Sequence, residues 1–443
     1  MLLNSLLTYM QNYFYKLYKN SVILQKIDWL IFINIIFIIL SSGFMQSDNI
    51  GYFAVVTILL TFIKFITKPK EYFKLSSADV FLLIYFLVVI ISVAGSSLLL
   101  LSIKGFSKTL IYLGFYISFI HYLKDNRNKL KYIFISFALV ALGETFIALK
   151  QNFLSVAAIS GWQDTSNLNP EQVMTRVYGA LKPYNPNLFG GYMLGVLPAS
   201  LALIFIPLKN SHKKTALLGG LAFILIAGTV LMTGCRGAYL GLFVELLLIA
   251  VLTYKFLKPF YKKIFLYFSS FVASFVCFVI MMTSSLRARI FSMFAMRNDS
   301  SNSFRFNVYN SCIDMFKDNW LLGIGVGNQN FREVYGLYMK TGFDALSAYN
   351  IYLETAVESG IFALISFLAF IILNLQKAFY YISRKNNMNA IYLAIAVISI
   401  IGMMVHGFVD TVFFRPQLQF VFWMMIGIIR VLTSSWGEYG CKK

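Results

Sequence analysis

A chain of 443 residues in which 59% are hydrophobic and only 13% are charged lies outside the range of soluble globular domains, where about 25% of residues are charged. Apolar runs of about 18 residues or more recur from near Ile27 to Leu432, each able to cross a bilayer core of about 30 Å, and the short alternating segments of a transmembrane barrel are absent. The formal charge of +20 accompanies these runs and is explained below by membrane topology, which leaves no reason to invoke a nucleic-acid partner.

The expected fold class is therefore all-α, a polytopic integral membrane protein. Residues 1–26, with Lys16, Lys19 and Lys26 and no small-residue cleavage site, read as a cytoplasmic N-terminal segment and not as a cleavable signal peptide. Residues 27–443 read as a single membrane domain. About twelve spans are expected in it, near 27–43, 51–66, 79–96, 107–122, 132–155, 186–207, 216–233, 237–254, 264–283, 347–375, 388–409 and 417–434. The fourth carries the weakest signal, because Lys104 and Lys108 sit at its start. There is no internal repeat, no pair of discontinuous helices and no sodium site of the kind found in many secondary transporters.

Basic residues set the expected orientation. With the N-terminus cytoplasmic, the even-numbered connections are cytoplasmic as well. They carry Lys64/Lys68/Lys70/Lys74, Lys124/Arg127/Lys129/Lys131, Lys209/Lys213/Lys214, Lys255/Lys258/Lys262/Lys263 and Lys377/Arg384/Lys385, and the C-terminus adds Lys442 and Lys443. Both termini are thus expected in the cytoplasm and the chain in the inner (plasma) membrane.

The opposite face holds a loop near 156–185 and a larger insertion near 284–346 between spans nine and ten. Its basic residues are mainly arginines: Arg176, Arg236, Arg287, Arg289, Arg297, Arg305, Arg332 and Arg415, eight of the eleven in the chain. Arginine grips phosphate or carboxylate through two hydrogen bonds and keeps its charge when partly dehydrated. A cavity for a lipid-linked diphosphate or an acidic glycan would use that property. For Arg287, Arg289, Arg297 and Arg332 the plainer reading is a solvated loop or contact with lipid phosphates. Arg236 is the sharpest case. It lies in Thr233-Gly234-Cys235-Arg236-Gly237 between two apolar stretches, which puts its guanidinium at a membrane face, where a charge needs a partner.

Other motifs are weaker. Cys235, Cys277, Cys312 and Cys441 form no CxxC pair and have no metal-ligand spacing with the three histidines, so no metal, cofactor or disulfide framework is expected. Gly323-Ile324-Gly325-Val326-Gly327 lacks a following lysine and a preceding strand, and reads as a tight turn that lets backbone approach something closely. Ser303–Lys317 reads as a helix whose stripe of Phe304, Val308, Cys312 and Phe316 favours packing over a cofactor site. His406 and Asp410, four residues apart near the end of span eleven, are expected on one helix face, as a proton pair or as a packing device.

Four segments carry a resemblance: Arg176 to Tyr192 with Asn185-Pro186-Asn187 inside it; Cys235-Arg236-Gly237-Ala238-Tyr239-Leu240-Gly241; Arg305 through Trp320 to Asn328; and Ala348-Tyr349-Asn350 followed by Glu354, Glu358 and Gly360. Their order and spacing resemble the O-antigen ligase and polymerase superfamily, over a region of about 176–375. The resemblance implies transfer of a glycan from a polyprenyl diphosphate carrier to an acceptor on the non-cytoplasmic side. Arg236 and Arg305 match the family's arginines and would hold the diphosphate. Arg176, Asn185, Asn187, Asn350, His406, Asp410 and Arg415 would line the cavity.

One position departs from the ligase pattern. Where those enzymes have His-Asn, this chain has Tyr349-Asn350, and a tyrosine hydroxyl with a reference pKa near 10 is a poor base. Tyr349 then stands in the catalytic position, with Glu354 or Glu358 as substitute bases or as helix-face partners of arginine. The segments Phe343–Tyr349 and His406–Pro416 look similar to a cyanobacterial branch named as bicarbonate transporters. Two functions are expected in consequence: glycan transfer or polymerisation on a lipid-linked donor, or uptake of a small anion such as bicarbonate. Membrane lipids are partners in either case, and the oligomeric state is not encoded in these motifs.

Overall fold

The computed structural model describes residues 13–67, 75–153, 176–257, 259–294 and 300–434. Lys68, Lys70, Lys74, Lys258, Arg297, Cys441, Lys442 and Lys443, together with most of the 156–185 loop, lie outside the described residues. Regular structure among the described residues is helical.

The helices follow the apolar runs. They are α1 (Ile27–Phe44), α2 (Ser47–Thr67), α3 (Ser77–Ala94), α4 (Leu99–Asp125), α5 (Leu130–Phe153), α6 (Pro186–Val196), α7 (Ala202–Lys209), α8 (Lys213–Met232), α9 (Arg236–Phe256) and α10 (Pro259–Met282). The insertion supplies α11 (Ser284–Phe291), α12 (Ser300–Asp318) and α13 (Asn328–Tyr335), and the chain closes with α14 (Ile351–Arg384), α15 (Met388–His406) and α16 (Pro416–Ser434). Among the described residues, eleven helices are long and apolar enough to cross a membrane, with α6 and α7 counted as one. The chain is a multi-pass membrane protein. The expected fourth span falls inside α4, whose 27 residues include Lys104 and Lys108 and which is not among the eleven.

Polar residues just before the apolar runs start several of these helices. Asn185 Oδ1 accepts from Asn187 N at 2.8 Å, with Pro186 in the first turn of α6. Asn350 Oδ1 does the same for Tyr352 N and Leu353 N at α14, and Asn387 for Ala390 N at α15. In the α16 window 89% of residues are buried against 0% in that of α10, which places α16 at the bundle centre and α10 at its lipid-facing edge. A second, small core lies in the insertion, where Val308, Cys312 and Met315 of α12 pack with Phe331, Val334 and Tyr335 of α13. Phe304 and Phe316 border it, so the expected stripe is a packing stripe.

The glycine turn approaches protein, not ligand. Its three glycines have φ of +71°, +98° and +124°. α14 is broken at Gly360, φ +78°, which leaves carbonyls in the interrupted turn without helical donors. The glycine turn fills that gap: Ile324 N donates to Val357 O at 3.0 Å and Gly325 N to Glu358 O at 2.9 Å. Ile361 N donates back to Trp320 O at 2.9 Å, and the Glu358 carboxylate accepts from Gly327 N at 3.0 Å. A Cβ on Gly105 of α4 would sit 2.4 Å from Val326 O, so the turn is wedged between α4 and α14.

Three expectations change. The tenth span begins at Ile351 and not near 347, because Asn350 caps it there. Helix discontinuities do occur: α6 passes into a 3₁₀ turn at Leu197–Leu201, with Pro198 in it, before α7, and α14 breaks at Gly360. His406 and Asp410 are not on one helix face. α15 stops at His406, since Gly407 O is taken by Ile351 N at 2.9 Å and a Cβ on Gly407 would strike Ile351. Asp410 therefore lies in the connection to α16.

At the other end of the bundle Arg430 of α16 holds Asp79 of α3 by bonds of 2.9 Å (Nε–Oδ2) and 2.7 Å (Nη2–Oδ2), and Asp79 also closes a capping box with Ser76. Removing one partner of a buried ion pair costs about 3–5 kcal/mol, because the other charge is left buried. Asp79→Ala is expected to lower the unfolding temperature in detergent markedly, with Asp79→Leu/Arg430→Met recovering part of the loss. A single variant as stable as wild type in a thermal melt would show that the pair contributes little.

Candidate functional site

α8 ends at Met232 and α9 begins at Arg236, so Thr233, Gly234 and Cys235 reverse the chain. Gly234 permits this with left-handed backbone at φ +61°. The reversal leaves carbonyls at the end of α8 in need of donors, and arginines supply them. Arg176 Nε donates to Thr233 O at 2.9 Å and Arg289 Nε to Gly234 O at 2.9 Å. Arg236, the first residue of α9 and 8% exposed, donates from Nη1 to Ser292 O at 3.2 Å and to Asn302 Oδ1 at 3.3 Å. Asn302 donates in turn to Ser292 O at 3.2 Å, which ties α12 to the end of α11.

A second line of contacts runs across the same end of the bundle. Arg176 Nη2 donates to Asn187 Oδ1 at 2.6 Å, and Asn187 Nδ2 donates to Asp410 Oδ2 at 3.0 Å. Arg305 Nη2 lies 3.8 Å from the same Asp410 oxygen, while Asp410 Oδ1 accepts from Val412 N at 3.1 Å. The Arg305 guanidinium stands 5.9 Å from the centre of the Tyr349 ring. Arg176, Asn187, Asp410, Arg305 and Tyr349 therefore form one continuous array, although they lie far apart in sequence.

Tyr349 occupies left-handed backbone at φ +51°, uncommon for a bulky residue and a feature that collects at ligand clamps. Its carbonyl accepts from Tyr309 Oη at 3.1 Å and its ring packs edge-on against Phe304. Burial raises the Tyr349 pKa, Asp410 adds to the rise and Arg305 opposes it. The Tyr309 pKa is raised too, first by burial, with Arg305 opposing. Both phenols keep their protons near neutral pH, so both are donors there. Burial lowers the Arg176 pKa, from an ordinary value high enough that the guanidinium stays charged.

The other expected residues are placed as follows. Glu354 is buried and accepts from Ala348 N at 2.9 Å, closing the turn that carries Tyr349. Glu358 serves the glycine turn. Asn185 and Asn350 spend their carbonyl oxygens as helix caps. Arg415 is exposed where α16 begins. His406 is buried beside the array with Nε2 3.5 Å from Cys235 Sγ, between Gly191 and Gly237, where a Cβ would crowd its ring. Cys235 and Cys312 are both free thiols in separate packing environments.

The sequence alone groups Arg289 with Arg287 and Arg332 on a solvated loop or against lipid phosphates. Arg287 and Arg332 are exposed, as that reading has it, but Arg289 is 9% exposed and built into the turn. Asn302 was not singled out. The available signal was the spacing of Arg287 and Arg289 directly after the ninth span, two residues that face opposite ways on a short helix. Chemically, three guanidinium groups (Arg176, Arg236 and Arg289) gather at one turn, and a fourth, Arg305, is linked to them through Asp410 and Asn187. The arrangement suits an anion with several oxygens better than a neutral ligand.

Residues 221–368, about a third of the chain, match the family model described as O-antigen ligase. Arg236, Arg289, Asn302, Arg305, Tyr349 and Glu354 fall within the matched segment, and Arg176, Asn187, His406 and Asp410 fall outside it. A comparison with curated proteins gives no match. The match supports the superfamily resemblance over the second, third and fourth motifs, the first lying outside it, and the chain is a multi-pass membrane protein with an O-antigen ligase-like region.

Proposed function

We propose that the protein transfers or polymerises a glycan carried on a polyprenyl diphosphate, at the non-cytoplasmic face of the inner membrane and with both termini in the cytoplasm. The observation that carries this reading is the gathering of Arg176, Arg236 and Arg289 at the α8–α9 turn, with Arg305 joined to them through Asp410 and Asn187, and with Arg236 and Arg305 inside the O-antigen ligase match. An oxygen of the acceptor attacks the anomeric carbon of the donor sugar. The bond from that carbon to the diphosphate oxygen breaks, the polyprenyl diphosphate leaves with the electron pair, and the acceptor hydroxyl passes its proton to water or to an oxygen of the leaving diphosphate. Negative charge grows on the diphosphate as the bond breaks. Guanidinium groups already fixed by neighbouring carbonyls and amides stabilise it with little reorganisation. Arg236 and Arg305 are the two groups assigned to the leaving diphosphate, and Asp410 keeps Arg305 aimed.

Loss of a preorganised donor of this kind lowers the rate about 10²–10³-fold. In a deletion strain, Arg236→Ala is expected to insert at wild-type level and to leave long or lipid-anchored surface polysaccharide missing on a size-resolving gel, while the wild-type gene restores it. An unchanged polysaccharide profile in the deletion strain would overturn the reading. Anion uptake is then the competing function, favoured by Tyr349 in the ligase histidine position, and uptake of labelled bicarbonate in the same strains is its assay.

Tyr349 acts here through its ring and its backbone, which support Arg305 and Tyr309. Tyr349→Phe keeps both contacts, so polymer assembly is expected to stay within about threefold of wild type, a change below ~1 kcal/mol in the barrier. Loss comparable to that of Arg305→Ala would instead assign the hydroxyl a direct part in the reaction.

A further inference from the structure

Of the four arginines of the site, Arg176 is the one outside the matched segment, and it is also the one with the most elaborate support. Arg176 sits in a stretch of irregular backbone, 176–185, that no helix fixes. Two side chains from the last three turns of α5 hold that stretch. Gln151 Oε1 accepts from Tyr178 N at 3.1 Å and from Gly179 N at 3.0 Å, and Gln151 Nε2 donates to Gly179 O at 2.8 Å. About two turns earlier, Glu144, fully buried, accepts from Ala180 N at 2.8 Å through Oε2. Gly179 adopts φ +61°, and a Cβ there would lie 2.2 Å from Glu144 Oε2, so the backbone is drawn onto the carboxyl. Val177 N donates to Met232 O at 3.2 Å, which ties the same stretch to the end of α8.

We propose that Gln151, with Glu144 behind it, is a positioning residue for the reaction: by fixing residues 178–180 it aims Arg176 at the anion site. Two side chains of one helix satisfy four backbone groups of three consecutive residues, and Arg176 lies two residues upstream of the first. From there its guanidinium bridges Thr233 O and Asn187, and through Asn187 it reaches Asp410 and Arg305. Residues at the end of α5 thereby set the geometry of a site formed by α8, α9 and α12. Arg176 would meet the diphosphate oxygens beside Arg236, so an Arg176 held in place contributes to affinity and an Arg176 left loose does not. This inference rests on the glycan-transfer reading, because it takes a polyprenyl diphosphate as the anion.

The test is a double-mutant cycle on the dissociation constant of farnesyl diphosphate, a short polyprenyl diphosphate, for the full-length protein in detergent. Arg176→Ala and Gln151→Ala are each expected to weaken binding about tenfold. The double variant is expected to be no more than about twofold weaker than the worse single, since coupled residues are not additive. Gln151→Glu keeps the one oxygen that accepts from both Tyr178 N and Gly179 N and loses the donor to Gly179 O, so it is expected to recover most of the affinity; it also serves as the control for a Gln151→Ala that fails to fold. Losses that multiply to about 100-fold in the double variant, or a Gln151→Ala that binds like wild type, would overturn the proposal. If Gln151→Glu binds as weakly as Gln151→Ala while both melt like wild type, it is likewise overturned. An unaffected Arg176→Ala in a wild-type background that binds the probe removes this inference and leaves the function on Arg236 and Arg305. A wild-type protein that does not bind the probe removes both.

Discussion

The carbonyls of Thr233 and Gly234, left over where α8 turns into α9, are the constraint around which the rest of the site is arranged. At the end of a membrane-spanning helix, backbone acceptors that are shielded from water must find donors inside the protein. Here two arginines reach them from opposite sides, Arg176 from the stretch before α6 and Arg289 from α11. A lysine offers a single compact charge on a flexible stem, whereas a guanidinium bonds a carbonyl with one nitrogen and keeps others for a second partner. Arg176 does this, with Nε on Thr233 O and Nη2 on Asn187. The same bonds that satisfy the helix end therefore fix the direction of the remaining guanidinium edges.

That arrangement explains why the site draws on elements so distant in sequence. α9 starts at Arg236 because the turn before it is held, and Arg236 in turn holds Ser292 O and Asn302, which fastens α11 and α12 over the turn. α12 then carries Arg305 towards Asp410, and Asp410 sits where it does because α15 ends early at His406, its following carbonyl taken by α14. On the far side of the insertion the broken turn of α14 is mended by the glycine turn. The insertion is thus anchored twice, by arginines at one edge and by backbone exchange at the other. Its attachment does not depend on an extensive apolar core of its own, which is small.

The helices and their approximate limits were legible because a bilayer demands long apolar runs and because Asn185-Pro186-Asn187 marks a helix start, whereas the cap at Asn350 shifts the tenth span from its expected start near 347. Arg236 was legible for the same reason: a charge in a stretch of five residues between two apolar runs has few places to go. The identity of its partners was not. Ser292 offers only a backbone carbonyl and Asn302 a neutral amide, and neither residue type stands out in a polar insertion. Arg289 was indistinguishable from Arg287 without knowing which side of a short helix faces the turn. The His406 and Asp410 spacing misled because period alone does not reveal that Gly407 O would be claimed by Ile351 N. The glycine turn was recognised as a close approach, but its target was a break in α14, and a break at one glycine within 34 helical residues leaves almost no pattern.

Tyr349 brings these threads together. Its left-handed backbone is costly for a tyrosine, of the order of 1–3 kcal/mol, and such a conformation persists only where the surroundings over-determine it. They do so here. Glu354 takes Ala348 N on one side, Asn350 caps α14 on the other, and Tyr309 bonds the Tyr349 carbonyl. The carboxylate that sequence reading offered as a substitute base is engaged in shaping the turn beneath the guanidinium of Arg305. A histidine on this backbone would have an imidazole to offer an acceptor; a tyrosine whose proton is held by burial offers a ring face and a donor. On the glycan-transfer reading, this edge of the site supplies positioning and charge stabilisation, and the arginines, with the order imposed on them by backbone carbonyls, are the part of the fold on which that chemistry would rest.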